Sequence, residues 1–423
     1  MTWRERITGG ENLELTRCYH AEARRDGLPG HGIIRPGYLP LFEMGTSPLK
    51  YIRRVHFALF LGVLTLSAAA QVSPDADYTN RASQGDYIVH DFRFHSGETL
   101  PELRLHYATW GVPKRNSGGE VTNVVLLLHG TLGAGIDWGH SNPTSPKVHP
   151  LLGPGGALDS NEYYVIAPDT IGAGKSSRPS DRLRMKFPRY NLEDIVKAER
   201  LLAEHLGAKH VIAVLGASMG GRQTWQWGVQ YPEFMDALVP MISSPFPNAG
   251  RRGLIDYIPE QIIKTDPEWK NGNYKKNPDS ARLADLTYSI FLRTPTWYQQ
   301  QLPTRADAEK LAQGGSGQHN APDANDFIYM MELNDGFDAR SQLDRISCPV
   351  LIINMAGDNM VPVELHDAEK TVARLKNATY LEIKEEAEYG HGALGRTMNI
   401  WAPKLRDWLH HVESHQKPQE TPH

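Results

Sequence analysis

A serine between glycines carries the clearest chemistry in this chain. Gly216-Ala217-Ser218-Met219-Gly220-Gly221 follows the apolar, β-branched run Val211 to Leu215 and precedes a segment that reads as helix from Met219 to about Gln230. Gly-x-Ser-x-Gly at a strand-to-helix turn lifts the serine Oγ above a sheet, and the glycines let neighbouring backbone pack close. The same turn aims the helix N-terminus, and the Met219 N–H with it, at negative charge forming beside the serine.

A serine hydroxyl is a weak nucleophile near neutral pH, so it needs a base within hydrogen-bond reach and a carboxylate to orient that base. Asp358, in Ala356-Gly357-Asp358-Asn359, follows the apolar run ending at Asn354. His391, in Tyr389-Gly390-His391-Gly392, follows the last strand-like run. The order Ser, Asp, His is that of α/β-hydrolase folds, and each residue falls on a loop beyond a strand's C-terminal end. A single Asp or His in a loop is ordinarily just solvated; here order and context agree, which predicts a triad of Ser218, Asp358 and His391. The oxyanion of an acyl intermediate needs a second donor besides Met219. The loop His129-Gly130-Thr131-Leu132-Gly133 follows the strand-like run 124–129, which points to the Thr131 backbone N–H.

Other motifs carry less. Gly172-Ala173-Gly174-Lys175-Ser176 resembles part of a phosphate-binding loop, but the full pattern requires Gly where Asp169 stands, and Pro179 follows too soon for a helix to start directly. No nucleotide or other cofactor is expected. His410 and His411 are neighbours on a predicted helix, where adjacent side chains do not face one way, so no metal site is expected there. His140 and His149 read as surface or cap residues, and Trp225 and Trp227 as packing.

The elements that must position these groups alternate. Strand-like runs fall at 86–94, 103–110, 123–129, 162–168, 210–215, 236–242, 349–354 and 378–383, with helical runs between some of them. Residues 192–206 predict a helix with Asn191 as N-cap and Ile195, Ala198, Leu201, Leu202 and Leu206 on its apolar face. This alternation predicts an α/β-hydrolase fold, a mostly parallel sheet with helices on both faces. Its core comprises residues 86–243 and 346–412. Residues 244–345, rich in Pro, Asn, Asp and aromatics, read as an inserted helical cap over the site. Residues 71–85 read as a linker and 413–423 as a polar tail.

The chain has 423 residues, a formal charge of −4 and two cysteines. No basic stripe suggests a nucleic-acid partner. Lys50, Arg53 and Arg54 precede the apolar run Phe57 to Leu66 and the small residues Ser67 to Ala70. That order reads as a signal peptide over 44–70, with cleavage expected after Ala70. Its apolar run is shorter than the roughly 20 residues a spanning helix needs, so no stable membrane insertion is expected after cleavage. Met44 precedes the basic cluster, so the expected start is Met44, with residues 1–43 read as an extension ahead of it, and the expected location of the product is the periplasm or outside the cell. Cys348 then remains as a lone cysteine, read as a small core residue.

Several segments resemble the homoserine O-acetyltransferase family and its hydrolase-like relatives over residues 88–412. They are Gly153-Pro154-Gly155 with Leu158-Asp159, Gly216 to Gly221, Asp266-Pro267-Glu268-Trp269 with Gly272-Asn273-Tyr274, Asp326-Phe327-Ile328-Tyr329 and Gly390-His391. Asp169-x-x-Gly-x-Gly-x-Ser176 resembles a turn common in α/β-hydrolases. The resemblance implies Ser218 as nucleophile with Asp358 and His391, an acyl-enzyme, a small-molecule acyl substrate and a homodimer as an open possibility. It also implies substrate contacts at Arg282 and Tyr288, since family members carry an Arg ahead of a Thr-Tyr pair. Two departures point towards hydrolysis: Gly392 stands where family transferases place an Asp that holds the acceptor, and the family's His-Ala oxyanion loop is His129-Gly130 here. Export argues the same way, because acetyl-CoA is a cytoplasmic donor. The expectation is an exported serine ester hydrolase. Acyl transfer to a hydroxyl acceptor such as homoserine is the runner-up, and a non-catalytic binding protein on this scaffold is the third reading.

Overall fold

The computed structural model describes residues 76–140, 147–314, 321–385 and 389–416. The segments expected to be an extension, 1–43, and a signal peptide, 44–70, lie outside the described residues, as do 71–75 and 417–423.

Eight strands form one sheet: β1 (Ser83–Arg93), β2 (Thr99–Trp110), β3 (Val124–Leu128), β4 (Tyr164–Pro168), β5 (Ala213–Ala217), β6 (Leu238–Met241), β7 (Val350–Met355) and β8 (Ala378–Ile383). Their order is β1-β2-β4-β3-β5-β6-β7-β8; β2 runs antiparallel to its neighbours and all pairs from β4–β3 onward are parallel. The central strands are short apolar runs because both faces are covered. Along β3, Val124, Leu126 and Leu128 enter one core and Val125 and Leu127 the other.

Helices α1 (Leu192–His205) and α2 (Met219–Gln230) pack on the first face. As predicted, Asn191 caps α1, its side chain accepting from the Asp194 N–H at 3.0 Å. Trp225 and Trp227 are fully buried in α2, which fits a packing role. Between β6 and β7 lie α3 (Arg251–Lys264), α4 (Ser280–Ser289), α5 (Pro295–Gln301), α6 (Arg305–Ala312) and α7 (Ala324–Glu332), with no strand among the described residues of this insertion. Two short helices, α8 (Asp367–Val372) and α9 (Ala393–Arg396), flank β8, and α10 (Met398–Gln416) covers the second face through Trp401, Leu405 and Leu409.

Three expectations need correction. The described part of the 71–85 segment is not a linker: Ala76 and Tyr78 are buried, the Tyr78 carbonyl accepts from Trp110 Nε1 at 2.8 Å, and β1 already starts at Ser83. One aromatic and one alanine bury there while the polar residues around them face water. The tail does not begin at 413, since α10 continues to Gln416 and Glu413 accepts a 2.6 Å hydrogen bond from the Tyr163 hydroxyl. His149 is fully buried rather than on the surface; its Nδ1 accepts from the Leu152 N–H at 3.1 Å, and burial lowers its pKa to about 4. Cys348 is a free thiol whose pKa burial pushes up to about 12, which makes it inert. Among the described residues no helix is long and apolar enough to cross a membrane, and no group of potential ligands could hold a metal.

Candidate active site

Ser218 sits between β5 and α2 with φ 56° and ψ −111°, a strained backbone for a side chain with a Cβ. The turn is sharp enough that a Cβ on Gly216 would come within 2.1 Å of the Gly220 carbonyl oxygen, and one on Gly220 within 2.3 Å of the Leu128 carbonyl oxygen. Serine at a helix N-cap ordinarily turns its hydroxyl onto the first N–H groups. Ser218 makes no such bond. Its Oγ lies 2.8 Å from His391 Nε2 instead.

His391 is held from behind. Its Nδ1 lies 2.7 Å from Asp358 Oδ2, and both residues are buried. The other carboxylate oxygen, Oδ1, accepts from the Met360 and Val361 N–H groups at 2.7 and 3.0 Å. A carboxylate anchored by backbone fixes which imidazole nitrogen carries the proton, leaving Nε2 free to accept one from Ser218. The three residues predicted from separate loops therefore meet in one hydrogen-bonded chain.

The loop after β3 is locked by a residue whose role the sequence did not reveal. His129 is buried, and desolvation lowers its pKa, so it is neutral. Its Nδ1 donates to the Gly130 carbonyl at 2.7 Å, and its Nε2 accepts from the Thr170 N–H at 3.0 Å. That assignment is forced, because an amide N–H can only donate. The loop thus stands beside the serine, with Thr131 lining the same cavity as Ser218, Met219 and His391. Asp169 supports it from below, Oδ1 accepting from the Gly135 N–H at 2.7 Å and Oδ2 from the Lys175 N–H at 2.7 Å. The glycine-rich turn that mimics a phosphate loop is thereby a structural brace.

Tyr288 and Arg282 part company. Tyr288 is buried in α4 with its hydroxyl 3.4 Å from Thr131 Oγ1 and lines a second cavity of about 420 Å³ that shares Thr131 with the first. Arg282 reaches neither cavity; its Nε and Nη2 bond the Asp279 carboxylate at 3.1 and 2.9 Å. Six residues of α-helix turn through about 600°, so the two side chains diverge by about 120°. The residue on Tyr288's own face, seven back, is the fully buried Ala281. The expected substrate contact at Arg282 is therefore corrected.

Other arginines stand where that one was expected. The cavity over Ser218 is about 360 Å³, and Arg222, Arg252 and Arg340 line it alongside a single acidic residue, Asp367. Arg222 lies one helical turn after Ser218, a spacing that puts it on the serine's side of α2 and was legible in the sequence. At Gly392, a Cβ would meet Arg293 Nη1 at 1.9 Å. The end of the Arg293 side chain thus lies over Gly392.

Comparison with known proteins agrees with this architecture. Residues 123–392 match the alpha/beta hydrolase fold family. The chain is 27% identical over 358 residues to the homoserine O-acetyltransferase of Geobacter sulfurreducens, covering 76% of this chain and 95% of that protein. Among solved structures, esterase E22 superposes with a TM-score of 0.69 at 18% identity, over 78% of this chain and 100% of the other. Homoserine O-acetyltransferase from Bacillus anthracis superposes with a TM-score of 0.67 at 22% identity, over 78% and 97%. By fold, and by a family match spanning well over half its length, this chain belongs to the α/β-hydrolase fold family.

Proposed function

We propose that the protein is an exported serine ester hydrolase, and the observation that carries this reading is the chain Ser218 Oγ–His391 Nε2 at 2.8 Å and His391 Nδ1–Asp358 Oδ2 at 2.7 Å. His391 takes the Ser218 proton as Oγ attacks the acyl carbonyl, then gives it to the departing alcohol. Asp358 holds the imidazole and stabilises its charged form. The Met219 N–H, first of α2, and the Thr131 N–H receive the oxyanion. Water, deprotonated by His391, then releases the acid and regenerates Ser218. Export rests on the signal peptide read at 44–70.

Acyl transfer to a hydroxyl acceptor is the second reading, favoured by the homoserine O-acetyltransferases among its relatives. Gly392 covered by Arg293, and an Arg282 turned away from the cavity, favour water as the acceptor.

The test follows an acetyl group by mass spectrometry. The purified protein and a Ser218→Ala control receive an activated acetyl ester or acetyl-CoA, each with and without homoserine. Ser218-dependent acetate release from the ester, unaffected by homoserine and absent with acetyl-CoA, is the expected result. Substantial O-acetylhomoserine would establish transfer. Inertness toward any activated ester would leave a binding protein on a hydrolase scaffold.

A further inference from the structure

At one end of the Ser218 cavity three lining residues, Arg222, Ser243 and Asn334, each hold a buried polar atom without a hydrogen-bond partner. Arg222 is 7% exposed, and its Nη2 reaches only neutral oxygens, the Phe246 carbonyl at 3.3 Å and Asn248 Oδ1. Its Nη1 is buried with no hydrogen-bond partner. Ser243 Oγ and Asn334 Oδ1, 4% and 7% exposed as residues, line the same cavity and are likewise buried without partners. Buried polar atoms left unpaired are costly, because each has given up its bonds to water and gained none in return. Three of them around one cavity is the pattern of a site whose partner is a ligand.

The charge of the missing partner follows from the electrostatics. Arg252 and Arg340 also line this cavity, yet each is already paired, Arg252 with Asp256 at 2.9 Å and Arg340 Nε with Asp338 Oδ1 at 2.8 Å. Arg222 alone among them forms no ion pair with a described residue. Burial, with the charge of Arg252 beside it, lowers its pKa to about 9, so it stays protonated near neutral pH. Arg222 Nη1 and Ser243 Oγ are both covered as they stand, so an anionic oxygen entering the cavity would draw the guanidinium and the Ser243 hydroxyl round to it, accept from both and restore a favourable charge balance. The Asn334 amide can turn its NH₂ the same way. A planar guanidinium with a free edge fits a carboxylate best.

We propose that the Ser218 cavity contains an anion subsite, centred on Arg222 with Ser243 and Asn334, that selects esters bearing a carboxylate. This deepens the hydrolase reading and rests on it for turnover, though the binding of the anion does not. Such an ester is cleaved by water to an acid and an alcohol, one of which keeps the second carboxylate.

Two pairs of esters separate the two places the charge can occupy. p-Nitrophenyl hemisuccinate against p-nitrophenyl butyrate puts the carboxylate on the acyl side. Acetoxyacetate against ethyl acetate puts it on the leaving alcohol. Each ratio of kcat/KM, charged over neutral, is measured for the native protein, Arg222→Met and Arg222→Lys. In at least one pair the native ratio favours the charged ester, Arg222→Met lowers it about 100-fold, and Arg222→Lys recovers part of the loss. A ratio that Arg222→Met leaves unchanged in both pairs overturns the proposal. A second readout needs no turnover: succinate and succinamide are titrated calorimetrically into Ser218→Ala, with and without Ser243→Ala. Succinate binding at least about tenfold tighter than succinamide, weakened by Ser243→Ala, supports the subsite even if no ester is hydrolysed. Equal binding of the two, or none, overturns it even if esterase activity is found. Ser243→Ala also removes only one oxygen, so it covers the case in which Arg222→Met does not fold.

Discussion

At the scale of single residues, the candidate site is defined by who holds whom. Ser218 gives up the capping bond its position invites and turns to His391. His391 is oriented by Asp358, and Asp358 by two backbone amides. Asp358→Asn keeps the volume but presents an NH₂ or a neutral oxygen to Nδ1, which favours the wrong tautomer. Its kcat on an activated acetyl ester is expected to fall by about four orders of magnitude, with the fold intact by circular dichroism. A loss under tenfold would mean that Asp358 is not the orienting group. Arg282 and Arg222 teach the complementary lesson. Arg282 stands close to the Thr287-Tyr288 pair along the chain, yet the helix carries its side chain away from Tyr288's face and onto Asp279.

At the scale of elements, the site depends on how closely α2 approaches the strands beneath it. Gly220 lets α2 descend until a Cβ would sit 2.3 Å from the Leu128 backbone oxygen, which cannot give way like a side chain. Gly220→Ala is expected to cost about 3 kcal/mol or to prevent soluble expression. Gly130 is the control: a Cβ there would lie 3.5 Å from the nearest atom, an ordinary contact. Gly130→Ala should unfold in urea within about 0.5 kcal/mol of the native protein. Equal behaviour of the two would refute the close-approach argument.

The contact of α1 with α2 carries a buried acid. Glu199 Oε2 accepts from Trp227 Nε1 at 2.8 Å, and desolvation raises the carboxyl pKa from 4.5 to about 8. The folded state therefore keeps a proton that the unfolded chain releases above pH 4.5. The stability linked to that proton is complete below pH 4.5 and is lost as pH rises through about 8. Glu199→Gln, which cannot ionise, should flatten the fall of Tm between pH 5 and 9 and melt higher than the native protein at pH 9. Parallel Tm profiles for the two proteins would rule this out.

At the scale of the whole molecule, the sheet needs its first described residues as well as its catalytic half. Tyr78 is 2% exposed, its N–H donates to the Gly139 carbonyl at 2.7 Å, and its carbonyl receives the Trp110 indole. Tyr78→Ala is expected to destabilise the protein by about 3 kcal/mol in urea unfolding. If 71–85 behaved as a linker, the change would be near zero. The insertion between β6 and β7 acts at this scale too. It brings Phe246, Arg252, Asn334 and Arg340 over a serine that belongs to the sheet, so the cavity is walled jointly by the insertion and by α2, which carries Arg222.

The alternation of apolar runs and helical periods, the glycines at 216 and 220 and the order Ser, Asp, His were enough to derive the sheet, the elbow and the three residues that meet there. Those features are local or ordinal: a turn that needs glycine needs it wherever the chain goes, and a strand buried on both faces reads as an unbroken apolar run. What the sequence could not decide is which side chains from distant segments share a space. Arg293 lies about a hundred residues before Gly392, yet its guanidinium fills the gap a side chain at Gly392 would need. His129 and Thr170, joined across two strands' loops, look unrelated in the chain. Tyr78 hides in a polar stretch because a single buried aromatic has no period. The lining of the cavity over Ser218 is drawn from α2, α3, the loops after β3, β6 and β8, and the segments after α7 and β7. Only packing decides where such side chains converge, because burial and charge pairing depend on distances in space that spacing along the chain does not encode.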